Sequence, residues 1–309
     1  MNSGFENLNQ AFISAFKNYA RRTSYKTGRD GHYTDVRYEE LEKLTLRLVG
    51  YLRSTGLSPG DRVLIVARNS PEWMAVCIAS FLSGAIVVPA SMSARPDILA
   101  FISRDSSASV VFAEDAAIAQ SVSEACCVQP RVVVMNGGND GKTDSLPDIL
   151  KSYEPYEDPR SLYGKAEELP AEKRAVIFYT ALDSGRPRGA VFSHGGLLST
   201  LLHVSEWFTL DEYDLGFTTL SWSYFPSFVT GLHYILSGVG NALSGGTASV
   251  FDDLQQTSPT VTMTSPFAIE NIYRKIMSDL NEMPESRRKA FEWALALGRR
   301  YHASESTAS

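Results

Sequence analysis

Four short apolar runs, at residues 63–67, 85–89, 109–112 and 131–135, constrain the fold of this chain more than any other feature. Each is apolar nearly throughout, the pattern of a strand buried on both faces. Helical patterns separate them. Ser70, Pro71 and Glu72 supply a capping hydroxyl, a proline at the first helical position and an acid in the first turn. That helix carries Trp73 and Phe81 and stops at Gly84, and further helices are predicted over 96–103 and 116–126. Strands alternating with helices in this way form a parallel sheet with right-handed crossovers, so the predicted fold class is α/β, with parallel sheets flanked by helices.

The flanking segments extend the pattern. Residues 8–19 read as a helix followed by a polar, basic connector. Leu41, Leu44, Leu48 and Leu52 make a helical stripe over 38–53, with Gly56 at the C-terminal cap position. Strands are predicted at 175–179, 190–192, 215–220, 247–251 and 260–264, and helices at 195–208, 224–237, 266–276 and 285–301. The division expected is a helix and connector over 1–33, a first α/β subdomain over 34–151 and an acidic linker over 152–173. A second α/β subdomain follows over 174–301, then a disordered tail over 302–309.

Composition excludes several function classes. The charge is −6 and the basic residues are scattered, so nucleic acid is not an expected partner. The nearest basic cluster, Arg21, Arg22, Lys26 and Arg29, reads as a solvated turn. Cys77, Cys126 and Cys127 show no metal spacing, and a reduced, intracellular setting is expected, cytoplasmic or peripheral to a membrane. The first residues carry no secretory signal pattern, and no apolar run approaches the ~20 residues of a spanning helix. His32, His194, His203, His233 and His302 form no ligand pair, and Ser193 lacks a G-x-S-x-G context. Asp252 and Asp253 read as capping or solvent-facing residues. No catalytic residue and no metal site is assigned.

The loop between the strands predicted at 175–179 and 190–192 contains Gly185, Pro187 and Gly189, and Ser193 and His194 open the helix beyond. A strand that empties into a glycine-bearing loop is a common way to build an anion site. Backbone N–H groups point inward there and a nearby cation closes the cradle. Thr180, Ser184, Gly185 and Arg188 could hold one anion.

At these residues the chain resembles the adenylate-forming acyl-CoA synthetases, whose phosphate loop reads Y-T-S-G-T-T-G-x-P-K-G-V and is followed by S-H-x-N-L. Tyr179 and Thr180 match. Ala181 replaces the serine, Leu182 the first glycine, and Asp183 and Ser184 the two threonines. Gly185, Pro187 and Gly189 match, Arg188 replaces the lysine, and Ser193, His194 and Leu197 match. Earlier pieces follow in the family's order: Tyr38 to Leu41, Gly56 to Val63, Asn69 to Trp73 and Ser83 to Pro89. The long-chain fatty acyl-CoA branch is resembled through Pro259, Thr260, Pro266, Glu270, Ile272 and Tyr273, then Phe291 to Leu295. The resemblance spans about residues 34–301 and implies the fold of the family's N-terminal domain, truncated.

Several family features have no counterpart in this sequence: the segment packing on adenine, the Y-G-x-T-E motif, the ribose aspartate, and the small domain carrying the adenylation lysine. Where the family shows L-P-L-x-H beside its acyl pocket, this chain has Leu220, Ser221, Trp222, Ser223 and Tyr224. Trp222 and Tyr224 are thus possible acyl-pocket positions, or core aromatics filling that volume.

The loop substitutions have physical consequences. Leu182 puts a branched side chain where bare backbone would admit an oxygen. Asp183 adds a carboxylate where a triphosphate would lie. Two unit charges ~4 Å apart repel by about 4 kcal/mol at an effective dielectric of 20. The residues of this degenerate phosphate loop are Thr180, Asp183, Ser184, Gly185, Arg188 and Gly189. The resemblance and its departures together imply a catalytically inactive acyl-CoA-synthetase-like protein, without cofactor. It would act as a binding or structural subunit beside a protein partner or a second copy. The alternative is half of a split ATP-dependent long-chain fatty acid–CoA ligase, using ATP and Mg and needing a partner chain.

Overall fold

The computed structural model describes residues 4–29, 32–123, 130–137, 141, 143–180, 186–246 and 249–306. The chain begins with α1 (Leu8–Tyr19), capped by the Asn7 side chain, and a hairpin of β1 (Thr23–Arg29) and β2 (His32–Arg37). α2 (Tyr38–Ser54) then buries Leu41, Leu48 and Leu52 and ends at Gly56, whose φ of +80° a side chain would strain. The alternating section is β3 (Arg62–Val66), α3 (Pro71–Leu82), β4 (Ile86–Pro89), α4 (Pro96–Asp105), β5 (Ala108–Ala113), α5 (Ala116–Ser123), β6 (Arg131–Val134) and β7 (Asp144–Ser145). The Ser70 hydroxyl accepts from the Trp73 N–H at 3.0 Å, as the cap pattern predicts. Two short helices follow, α6 (Leu146–Ser152) and α7 (Pro159–Glu167), then β8 (Arg174–Thr180), β9 (Arg188–Ser193) and α8 (His194–Trp207). The remainder is β10 (Leu215–Thr218), α9 (Phe225–Leu236), β11 (Gly240–Leu243), α10 (Val250–Thr257), β12 (Val261–Met263), α11 (Pro266–Glu282) and α12 (Glu285–Ser306).

These strands form two sheets. The larger has the order β7-β6-β5-β3-β4-β8-β9, parallel except for the β8–β9 pair. The smaller, β12-β10-β11-β1-β2, is parallel except for the β1–β2 pair. Side-chain alternation along β3 divides the interior. Val63 and Ile65 face the main core with α2, α3, α8 and α9, while Leu64 and Val66 face a smaller core with α4 and α5.

Two compact units result, Met1–Met263 and Thr264–Ser309. In the first, residues expected to form separate subdomains share one core, with Leu41, Ile65, Leu197 and Phe228 in the same cluster. The second holds α11, capped by the Ser265 hydroxyl, and α12, which exposes Trp293, Leu297 and Tyr301 at four-residue intervals.

Four expectations are corrected. The N-terminal connector is the β1–β2 hairpin. The linker contains α7, capped by Asp158 and started by Pro159, with Leu162 and Ala166 buried one turn apart. The strand expected at 247–251 is absent from its described residues, because Val250 and Phe251 begin α10, and the strand of that region is β11. The tail is helical through Ser306. Cys126 and Cys127 lie outside the described residues.

Candidate functional site

The degenerate loop hangs from the β8–β9 hairpin, and aromatic packing fixes that hairpin. Phe178 meets Phe192, Phe225 and Phe228 at ring distances of 6.2, 5.2 and 5.3 Å, and Phe192 stacks on Phe225 at 4.5 Å. The hairpin is thereby tied to the N-terminal end of α9. At its mouth Thr180 pairs in register with Arg188, and the Thr180 hydroxyl lies 3.5 Å from the Arg188 carbonyl, the outer limit of a hydrogen bond. Arg188 is exposed and forms no ion pair among the described residues. Asp183, Ser184 and Gly185 lie outside the described residues.

Gly189 has a packing reason to be glycine. A Cβ there would stand 2.9 Å from Ile177 Cγ2 across the ladder. Tyr179 is anchored by donating to Asp105 Oδ2 at 2.6 Å, and burial with that carboxylate pushes its phenol well above the ordinary value. Phe101 meets the Tyr179 ring edge-on, and the Arg186 guanidinium lies 5.6 Å from the Phe101 centroid. Two arginines therefore stand at the mouth of the loop.

Beyond the hairpin, Ser193 caps α8 by accepting from the Gly196 N–H at 3.1 Å. His194 is fully buried, with its ring 5.4 Å from Phe81 and neither nitrogen hydrogen-bonded. Burial pushes its pKa down to about 4, so at neutral pH it is an uncharged core side chain. Trp222 is also fully buried, between Trp73 at 5.2 Å and Tyr25 at 6.0 Å. Tyr224, by contrast, is exposed at the start of α9. The structure thus separates the two possible acyl-pocket residues, one into the core and one to solvent.

Asn69 holds this region together. Its Nδ2 donates to the Leu220 carbonyl at 2.8 Å and its Oδ1 accepts from the Trp222 N–H at 2.9 Å. The loop after β10 is pinned in this way to the loop after β3. Residue type alone gave no signal for that role, since an asparagine before a serine cap reads only as a turn. Among the described residues no group of His, Cys, Asp or Glu is placed to hold a metal ion, and no helix is long and apolar enough to cross a membrane.

Residues 13–300 match the family described as AMP-binding enzyme. This chain belongs to that family. The AMP-binding chain is 23% identical over 279 residues to long chain acyl-CoA synthetase 2 of Arabidopsis thaliana, covering 85% of this chain and 42% of that protein. It is 28% identical over 172 residues to the long-chain-fatty-acid–CoA ligase FadD15 of Mycobacterium tuberculosis, covering 55% of this chain and 28% of that one. Among solved structures, the N-terminal domain of FACL13 from Mycobacterium tuberculosis superposes with a TM-score of 0.72 at 19% identity, covering 87% of this chain and 65% of that chain. The fold is that of an acyl-CoA synthetase N-terminal domain. The chain spans less than half the length of these curated relatives.

Proposed function

We propose that this AMP-binding-family domain does not carry out adenylation and acts as a binding or structural subunit, set against a protein partner or a second copy. One observation carries the reading. Between Thr180 and Arg188, the two residues at the hairpin mouth, the loop sequence places Leu182 and Asp183 where the resembled motif has glycine and threonine. The first removes the open backbone that an oxygen would approach, and the second adds like charge. The burial of Trp222 supports the same reading, because a filled core stands where the family's acyl-pocket motif aligns.

The exposed pair Arg186 and Arg188 favours a second reading, one half of a split long-chain fatty acid–CoA ligase. The arginines, with Thr180, Ser184 and Gly185, would then hold the phosphates of Mg-ATP, and a partner chain would supply the remaining groups. ATP–pyrophosphate exchange with a long-chain fatty acid separates the two. The first reading expects no exchange by the chain alone or with any protein that co-purifies with it. Exchange that appears only in the complex establishes the second.

A further inference from the structure

A cavity of about 680 Å³ opens where β3, β5 and β6 end, walled on the other side by the β1–β2 hairpin and the turn after β11. The strand order around it is β5-β3-β4. The chain leaves β3 through α3 to reach β4, then returns through α4 to β5 on the other side. α3 packs in the main core and α4 in the smaller one, on opposite faces of the sheet. The crevice between the carboxyl ends of β3 and β5 is therefore a topological switch point, the place where open α/β sheets receive ligands.

Its polar groups are held in place. Glu114, the residue after β5, is buried, and its carboxylate accepts from the Arg68 backbone N–H at 3.0 Å and from Asn136 Nδ2 at 2.8 Å. The same carboxylate pairs with Arg68 Nε. The glutamate is buried and held by three donors, so it fixes where the Arg68 guanidinium stands. The Arg68 side chain remains 68% exposed at the cavity. Glu72, in the first turn of α3, lines the same cavity and forms no ion pair among the described residues. Met135, Leu146, Leu150 and Leu243 supply apolar surface. The Asp253 carboxylate fixes the far wall, accepting from the Ser244 hydroxyl at 2.9 Å and the Gly245 N–H at 3.0 Å.

We propose that this crevice is a ligand site distinct from the 180–189 loop, and that it takes an amphipathic zwitterion. One anionic group would pair with Arg68, one ammonium group with Glu72, and an apolar body would lie on the leucines and Met135. The lining offers one arginine, already paired with Glu114, beside the unpaired Glu72, which is too little positive charge for a polyphosphate. The volume suits a small organic molecule.

The test is isothermal titration of the full chain with L-phenylalanine, 3-phenylpropanoate and 2-phenylethylamine, the last two each lacking one charged group. Saturable binding of L-phenylalanine is expected, with each single-charge analogue weaker by about tenfold or more. Glu72→Gln should erase the advantage over 3-phenylpropanoate. Thr34→Trp, at an exposed strand position on the rim, should block all three, with circular dichroism confirming its fold. No saturable binding of L-phenylalanine up to about 10 mM would overturn the proposal, as would equal binding of the three probes or an unchanged affinity in folded Thr34→Trp. No residue of the 180–189 loop lines the cavity, so these results leave the nucleotide question independent.

Discussion

The indole Nε1 of Trp222 stands 2.6 Å from where a Cβ on Gly231 would lie, so the tryptophan occupies the space that this helical glycine leaves open. Both residues are buried, and Trp73 and Phe228 close around the pair. Gly231→Ala sets two effects against each other. Helix propensity favours alanine by about 1 kcal/mol, whereas forcing a methyl into a filled core costs about 1–3 kcal/mol. The indole is fully buried with the Trp73 and Tyr25 rings against it, so the variant is expected to be destabilised, with a lower urea midpoint at unchanged slope.

His194 gives the fold a pH dependence. Its folded-state pKa is about 4 against an ordinary 6.5, because burial penalises the charged ring. The unfolded chain takes up a proton below pH 6.5 that the folded chain refuses until about pH 4. Its contribution is complete above pH 6.5 and is lost as pH falls toward 4, amounting to about 3 kcal/mol over the window. His233, also pushed down by burial, adds in the same direction. Chemical denaturation of wild type and His194→Leu between pH 4.5 and 7 should show a much shallower slope in the variant.

Ser70→Ala removes the cap of α3, whose hydroxyl accepts from the Trp73 N–H. The expected cost is about 1 kcal/mol. Because the helix is buried along nearly its whole length, the loss should appear as a lower midpoint of global unfolding and not as local fraying.

Asp253→Ala should cost about 1–3 kcal/mol, since the Ser244 and Ser249 hydroxyls and the Gly245 N–H all donate to its carboxylate. Differential scanning calorimetry would show the lower Tm. The Asn variant, which keeps one acceptor, should fall between.

The legible parts of the sequence were those where local chemistry and packing agree. The β3–α3–β4 unit was readable because Val63 to Ile65 are apolar without interruption and Ser70, Pro71 and Glu72 carry a complete helix start. β11 was not readable. Its four residues, Gly240 to Leu243, carry no strand pattern, yet they sit between β10 and β1, where a Cβ on Gly240 would stand 3.2 Å from the Thr23 carbonyl oxygen. α7 was hidden by its polar surface, with only Leu162 and Ala166 marking the inward side. At the loop, the sequence marked Thr180, Ser184, Gly185 and Arg188 as able to hold an anion but gave no sign that Thr180 and Arg188 face one another, which only the hairpin register shows. Glu114 carried no sequence signal, because a single acid after an apolar strand acquires its meaning only when Arg68 and Asn136 converge on it.

The central claim is that the segment between Thr180 and Arg188 does not hold a nucleotide, and equilibrium binding of Mg-ATP tests it most directly. Thermal unfolding should be compared with and without saturating Mg-ATP, for wild type and for a Leu182→Gly, Asp183→Thr variant. The account predicts no concentration-dependent stabilisation of the wild type and a measurable gain in the variant. A saturable stabilisation of the wild type, about 2.7 kcal/mol when the ligand stands at 100 times its Kd, would contradict it.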